Sequence, residues 1–409
     1  VQVDSHKPFY VSVNEKLWMA MFMVFLTVGT SVAQEKNKPD FQLEVQLENR
    51  YFINDGLYSG QRRNFISISA RPEIDWEWAG GKKGLKVSLF GRWDQHDTRR
   101  THFDIRELYY QQVKGSWEFS MGFKKIFWGV TESAHLVDII NQTDQVESFD
   151  GEQKLGQPMA HFSYLSPFGT LDFFYLPYAR KRQFSSREGR LRFPLLLERS
   201  DIEVDADSKV WHPSLAFKWS HYVGVLDVAT SYFYGVGREP LFLNLQSQAP
   251  SLFYPIIHQV GIELQATTGP ALWKAEGIYR HAEQQQFGAL VIGFEYTLGN
   301  IKNSGLDIGI IGEYLYDSRD ELAISNLAND VFTGLRLAFN DIQSTEFLAG
   351  TIFDLERSTQ IYSIETSRRI GESWKIEAEA RFFESVDKEE FLNFVRDDSF
   401  LRFSLSKFF

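Results

Sequence analysis

From Phe41 onward, apolar and polar residues alternate with a period of two. Phe41, Leu43, Val45 and Leu47 fall on one side, and Gln42, Glu44, Gln46 and Glu48 on the other. The alternation recurs at Leu85, Val87 and Leu89 against Lys86 and Ser88. It returns at Leu306, Ile308, Ile310, Tyr314 and Tyr316 against Asp307, Gly309 and Glu313. It appears again at Trp374, Ile376, Ala378, Ala380 and Phe382 against Lys375, Glu377, Glu379 and Arg381. Period two marks a strand with one apolar and one wet face. Four neighbouring charges on one face are too costly for a dry core, so that face should line water. The pattern predicts an all-β chain of roughly 18 strands, within a range of about 14 to 18.

The connections alternate in length. Short ones include Ala79–Gly84, Lys114–Ser116, Ser166–Gly169, Thr267–Pro270, Gly299–Gly305, Asn340–Gln343 and Gly371–Ser373. Long ones include Ile53–Arg62, Gln95–Thr101, Gly129–Pro158, Tyr178–His212, Gly235–Tyr254, Asp317–Ala328 and Ser385–Asp398. Short turns at one end and long loops at the other are the habit of a transmembrane antiparallel β-barrel, whose turns are periplasmic and whose loops are extracellular. A soluble sandwich has no reason to sort its loops in this way. Trp117, Trp273 and Trp374 follow short turns, while Trp93, Tyr234, Tyr279 and Tyr316 lie near long loops. Those positions suit the two aromatic girdles of a membrane barrel.

Composition agrees. Aromatics make up 15% of the 409 residues, yet the mean hydropathy is −0.28, as expected when half of every strand faces water. Cysteine is absent, which suits an oxidising compartment. A net charge of −11 argues against a nucleic-acid partner. Lys16 precedes an apolar run from Leu17 to Leu26, and Ser31-Val32-Ala33 is a small-x-small site. Residues 1–33 therefore read as a secretory signal peptide, too short in its apolar core for a membrane span. The opening on Val1 suggests an over-extended start. Residues 34–409 are expected to form the barrel alone, with no plug domain before it.

The C-terminal run Leu401, Phe403, Leu405 and Phe409, with polar residues between, resembles the last strand of bacterial outer-membrane β-barrels. The resemblance implies an assembly signal read by the barrel-assembly machinery. It also implies surroundings of outer-membrane lipid and lipopolysaccharide in a Gram-negative cell. The run Lys124-x-x-x-Trp128-Gly129 followed by Asp138-Ile139-Ile140-Asn141-x-x-Asp144 resembles a motif of an uncharacterised outer-membrane family, the DUF1302 type. It is also similar to porin-like and alginate-export-like barrels. That resemblance covers about thirty residues and implies a barrel with an inward loop, not a substrate.

A loop of this length without disorder-like composition is usually functional. Its apolar run, Leu136, Val137, Ile139 and Ile140, is costly in water and should fold inward, narrowing the pore. Lys124, Lys125, Trp128, Glu132, His135, Asp138, Asn141 and Asp144 are the candidate constriction residues. In the plainer alternative, the Asp and Asn side chains cap turns and the two lysines pair with them. His135 and Asp138 have a spacing that could serve a metal, but two ligands are too few for one. Arg92, Lys274, Glu276, Arg336, Glu377, Glu379 and Arg381 are candidate lumen charges. Both signs are mixed, which favours polar solutes over strict ion selectivity. The loop Tyr178–His212 carries Arg180, Lys181, Arg182, Arg187, Arg190, Arg192 and Arg199 before Asp201, Glu203, Asp205 and Asp207. Such a loop can close on itself or its neighbours, or meet phosphate at the mouth.

The expectation is a porin-like channel for passive or facilitated diffusion of a small polar or amphipathic solute. It needs no cofactor and no covalent step. The alternative is a conduit for a hydrophobic substrate or a polysaccharide. A barrel-embedded hydrolase is a remote third, because His161 and Ser163 share a strand face but no acid can be assigned to them. The chain could work as a monomer or a trimer.

Overall fold

A computed structural model describes residues 38–194, 196, 202–243, 251–319, 328–388 and 390–409. The expected signal peptide, residues 1–33, lies outside the described residues.

The chain runs through β1 (Asp40–Phe52), β2 (Asn64–Trp78), β3 (Lys83–Asp94), β4 (His102–Lys114), β5 (Trp117–Lys124), β6 (Gln157–Ser166) and β7 (Gly169–Leu176). It continues through β8 (Ile202–Val204), β9 (Ser214–Val223), β10 (Leu226–Val236), β11 (Leu241–Leu243), β12 (Ser251–Tyr254), β13 (Ile256–Thr268) and β14 (Ala271–Ala282). Next come β15 (Gln286–Leu298), β16 (Asp307–Asp317), β17 (Asn329–Ala338), β18 (Glu346–Asp354), β19 (Gln360–Ile370), β20 (Trp374–Glu384) and β21 (Phe400–Phe408). Eighteen of these form one antiparallel sheet, while β8, β11 and β12 make a small separate sheet in the outer loops.

β21 pairs with β1 from Glu44 opposite Phe408 to Phe52 opposite Phe400, which closes the barrel. Closure leaves no free edge in the barrel sheet, as hydrocarbon requires. Phe409 extends the seam by exchanging backbone hydrogen bonds with Leu43. The alternation read from the sequence sets the faces. Leu47, Ile68, Ile292, Ile310 and Leu405 are exposed on the outside, while Glu48, Ser67, Glu313 and Ser404 are buried on the inside. Trp117, Trp273 and Trp374 point outward near the short turns, and Trp93, Tyr279 and Tyr316 point outward near the other end.

Two features of the barrel depart from the sequence pattern. Connections 283–285 and 355–359 are short although they lie at the long-loop end, so the alternation of lengths is not strict. The inner face is not uniformly polar. Phe174, Phe233, Ile257, Ile278, Ala289, Val291, Ile311, Leu315 and Phe332 all face inward and are buried. Apolar lumen residues need a cover, and the long loop between β5 and β6 supplies it.

Candidate functional site

The segment between β5 and β6, residues 125–156, lies inside the barrel. Its first half is held by two wall carboxylates. Glu276 on β14 accepts the backbone amides of Val130 (2.6 Å) and Thr131 (3.0 Å), and the Thr131 hydroxyl at 2.7 Å. Its other oxygen accepts the Val137 amide at 3.3 Å. Glu313 on β16 accepts the amides of Glu132 (2.7 Å) and Ser133 (2.8 Å). An irregular segment leaves its amides unpaired, and an ionised carboxylate is the strongest neutralising acceptor for them. The chain passes so close to Glu276 that Gly129, at φ 142°, has no room for a side chain. A Cβ there would sit 2.9 Å from both Glu276 Oε1 and His135 Nδ1.

The second half is held the opposite way, by loop carboxylates on wall cations. Asp144 meets Arg106 on β4 at 2.6 Å, Glu147 meets Arg92 on β3 at 2.9 Å, and Asp150 meets Arg381 on β20 at 2.8 Å. Arg106 and its neighbour Glu107 both face inward because of a bulge. The pairing steps from Ser88–Glu107 to Leu89–Ile105, leaving Arg106 as the extra residue. Arg100 reinforces this side with bonds to Glu48 (2.9 Å) and Asp94 (3.0 Å) and to the Val146 carbonyl. The loop therefore bridges walls on opposite sides of the lumen.

Between the two clamps runs an apolar seam. Trp128, Val137, Ile139 and Ile140 are buried against Met159, Phe174, Phe233, Ile257 and Ile278. Burying four such side chains is worth about 1.5–3 kcal/mol each. Asn141 ties the loop to itself: it accepts the Ile126 amide and donates to the carbonyls of Lys124 and Leu155. Asp138 pairs with Lys154 at 3.1 Å and accepts the Trp128 amide; burial pushes its carboxyl above the usual range, against the pull of Lys154. Glu132 meets Arg336 at 2.7 Å. His135 lies 3.2 Å from Glu152 and 3.9 Å from Glu276. Burial opposes its protonation, but the two carboxylates outweigh that and push the imidazole up to about 10.

The candidate constriction residues thus divide. Trp128, Asp138, Asn141 and Asp144 are buried as anchors. Glu132 and His135 remain partly open to the lumen. Lys124 is the last residue of β5 and does not pair with the loop acids. Its Nζ lies near Ser120, His161 and Glu118, over the Tyr109 ring. Lys125 makes no ion pair with those acids either, and burial lowers its pKa beside Glu107. Arg106, Glu147 and Asp150 went unrecognised in the sequence, although Asp144, Glu147 and Asp150 recur every three residues there.

The lumen charges all face inward, but as an interleaved network rather than opposed rows. Arg402 meets Glu379 at 2.7 Å, Lys375 meets Glu377 at 2.7 Å, Lys274 meets Glu295 at 3.6 Å, and Arg336 meets Glu295 at 3.3 Å. One side stays open to water: the side chains of Arg71 on β2, Arg336 on β17 and Glu365 on β19 keep 43%, 37% and 48% of their surface.

The other sequence candidates take plain positions. His135 and Asp138 turn to different partners and share no metal geometry. The carboxylates of Asp150, Glu365 and Glu379 converge, but Arg381 contacts all three. His161 does find an acid, Asp172 at 2.8 Å, and its other nitrogen faces Ser120 at 3.5 Å rather than Ser163. Ser120 is buried, so its hydroxyl offers no approach to a substrate. The arginine-rich loop closes on its neighbours. Arg180 pairs with Asp104, and Arg190 with Asp398 at 2.6 Å. Phe184, Phe193, Ile202, Leu252, Tyr254, Leu392, Phe394 and Val395 from three loops pack together over the mouth. Arg199 and Asp201 lie outside the described residues.

A closed antiparallel barrel with an apolar outer band, aromatic girdles and a charged lumen crossed by a loop is a porin-like barrel of the outer-membrane type. No family model matches the chain, and no curated protein does. Among solved structures, a triple mutant of the Rhodopseudomonas blastica porin aligns at 12% identity with a TM-score of 0.44, over 91% of this chain and all of that one (100%). A double mutant of the same porin aligns at 11% identity with a TM-score of 0.44, also over 91% and 100% of the two chains.

Proposed function

We propose that this protein is a diffusion channel for small polar or amphipathic solutes in the outer membrane of a Gram-negative bacterium. One observation carries the reading: the segment 125–156 crosses the lumen and is bonded to opposite walls, at Glu276 and Glu313 and at Arg106, Arg92 and Arg381. A loop held at both ends sets a fixed width. The open side past Arg71, Arg336 and Glu365 then offers passage along paired charges, which suits polar solutes without favouring one sign. The conduit reading for a hydrophobic substrate has less support, because the apolar lumen residues are covered by the chain's own Val137, Ile139 and Ile140. Export by a signal peptide at residues 1–33 and insertion guided by Leu401, Phe403, Leu405 and Phe409 belong to the same proposal.

Planar-bilayer recording of the refolded protein tests it. Steady ohmic conductance in KCl is expected, and deletion of residues 132–144 should raise it. Unchanged conductance after the deletion would refute the constriction.

A further inference from the structure

We propose that Phe127, together with the Glu152 carboxylate, forms a binding platform in the lumen for organic cations that carry an apolar or ring face. The inference rests on the channel reading for its role, but its physical basis is separate. Along the first stretch of the inward loop, Ile126 and Trp128 both pack on the apolar wall. Phe127 lies between them but stays out of that cluster, and 58% of its surface is exposed. An aromatic left in a watery lumen forgoes roughly 1.5–3 kcal/mol of burial, although an apolar seam lies one residue away on either side.

The ring is held in place. It meets the His135 ring edge-on, with centroids 4.7 Å apart and planes at 82°. His135 is fixed in turn by Glu152 at 3.2 Å and Glu276 at 3.9 Å. Two residues after the ring, Gly129 lies directly on Glu276 and His135, so the turn that presents Phe127 has no slack. Such a ring costs a ligand little to engage, because it is already ordered.

The neighbouring charge selects the ligand. Glu152 keeps 53% of its side chain exposed. His135 takes its Oε1, and Oε2 has no partner among the described residues. Glu276 spends its charge on the loop amides. His135 is itself protonated at neutral pH, but Glu152 and Glu276 flank it with two negative charges, so the three groups sum to a net negative charge and Glu152 Oε2 is the open acceptor. The face of an aromatic ring attracts cations. A protonated amine on an apolar body satisfies both features: its body stacks on Phe127 and its ammonium meets Glu152.

Equilibrium titration of the refolded full barrel with phenethylammonium tests this without relying on conduction, with benzoate as the anionic counterpart. Saturable binding of phenethylammonium and none of benzoate is expected. Phe127→Ala should weaken binding roughly 3- to 10-fold, Phe127→Trp should retain it, and Glu152→Gln should weaken it. Equal binding by Phe127→Ala and wild type, equal affinity for benzoate, or no saturable binding by wild type would overturn the proposal. KCl conductance of the same preparation separates the two readings. Binding as described without conductance would overturn the channel and leave the platform standing.

Discussion

Replacing Glu276 with alanine removes the acceptor for the amides of Val130, Thr131 and Val137 and for the Thr131 hydroxyl. A buried donor that loses its partner costs roughly 1–3 kcal/mol. Water can enter the vacated space and reach part of the set, which leaves a net loss of about 4 kcal/mol for local anchorage. At about 1.4 kcal/mol per tenfold, exchange protection at Val130 and Thr131 should fall on the order of a thousand-fold. The seam of Trp128, Val137, Ile139 and Ile140 is untouched, as are the clamps at Arg106, Arg92 and Arg381. The loop should stay in the barrel with its first half loosened, and the barrel's melting should not change. Hydrogen exchange read by mass spectrometry on peptides covering 130–137 measures this directly. Glu377→Ala, on a different part of the wall and bonded to Lys375 and Gln46, should leave those peptides unaffected. Unchanged protection in Glu276→Ala would mean that the carboxylate is not what holds the loop.

The His135 clamp should depend on pH. Its folded value of about 10 lies above the unfolded value of about 6.5, so its contribution is complete below about 6.5. It is lost as pH rises through about 10. Current noise from the loop should therefore grow between pH 8 and pH 10 or so, and His135→Gln should abolish that increase. Arg190 is buried and bonds to Asp398, to the carbonyls of Asn54 and Arg62, and to that of Asp397. Arg190→Ala leaves Asp398 buried and unpaired, a loss of roughly 3–5 kcal/mol, and external protease should cut loops 53–63 and 385–399 faster. Gly129→Ala forces a methyl against Glu276 and His135 at a positive φ and should displace the first half of the loop, raising conductance without unfolding the barrel.

The wall was legible in the sequence because its rule is local. Side chains alternate along each strand, so Leu47 and Glu48, or Ile376 and Glu377, declare their faces without reference to any neighbour. The long loop declared itself too, since Leu136, Val137, Ile139 and Ile140 could not stay in water. What could not be read was its attachment. Glu276 and Glu313 are two ordinary inward carboxylates among many, and only the path of a segment more than a hundred residues earlier makes them acceptors for backbone amides. Lys124 seemed a natural partner for the loop acids, yet it ends a strand whose inward neighbours, Ser120 and His161, are nearer. Arg106 and Glu107 share the inner face through a bulge that breaks the very periodicity used to read the strand.

The sequence by itself determined that this chain is a membrane barrel, where its strands lie and which loop enters the lumen. Each of those follows from local periodicity and from the cost of apolar side chains in water. The tertiary structure alone decided how that loop is held, which charges pair, and which residues remain open to a solute. Those outcomes depend on distances across the lumen between strands far apart in sequence. A wall residue such as Glu276 or Arg381 becomes an anchor, and Phe127 an exposed ring, only once the opposite wall is in place.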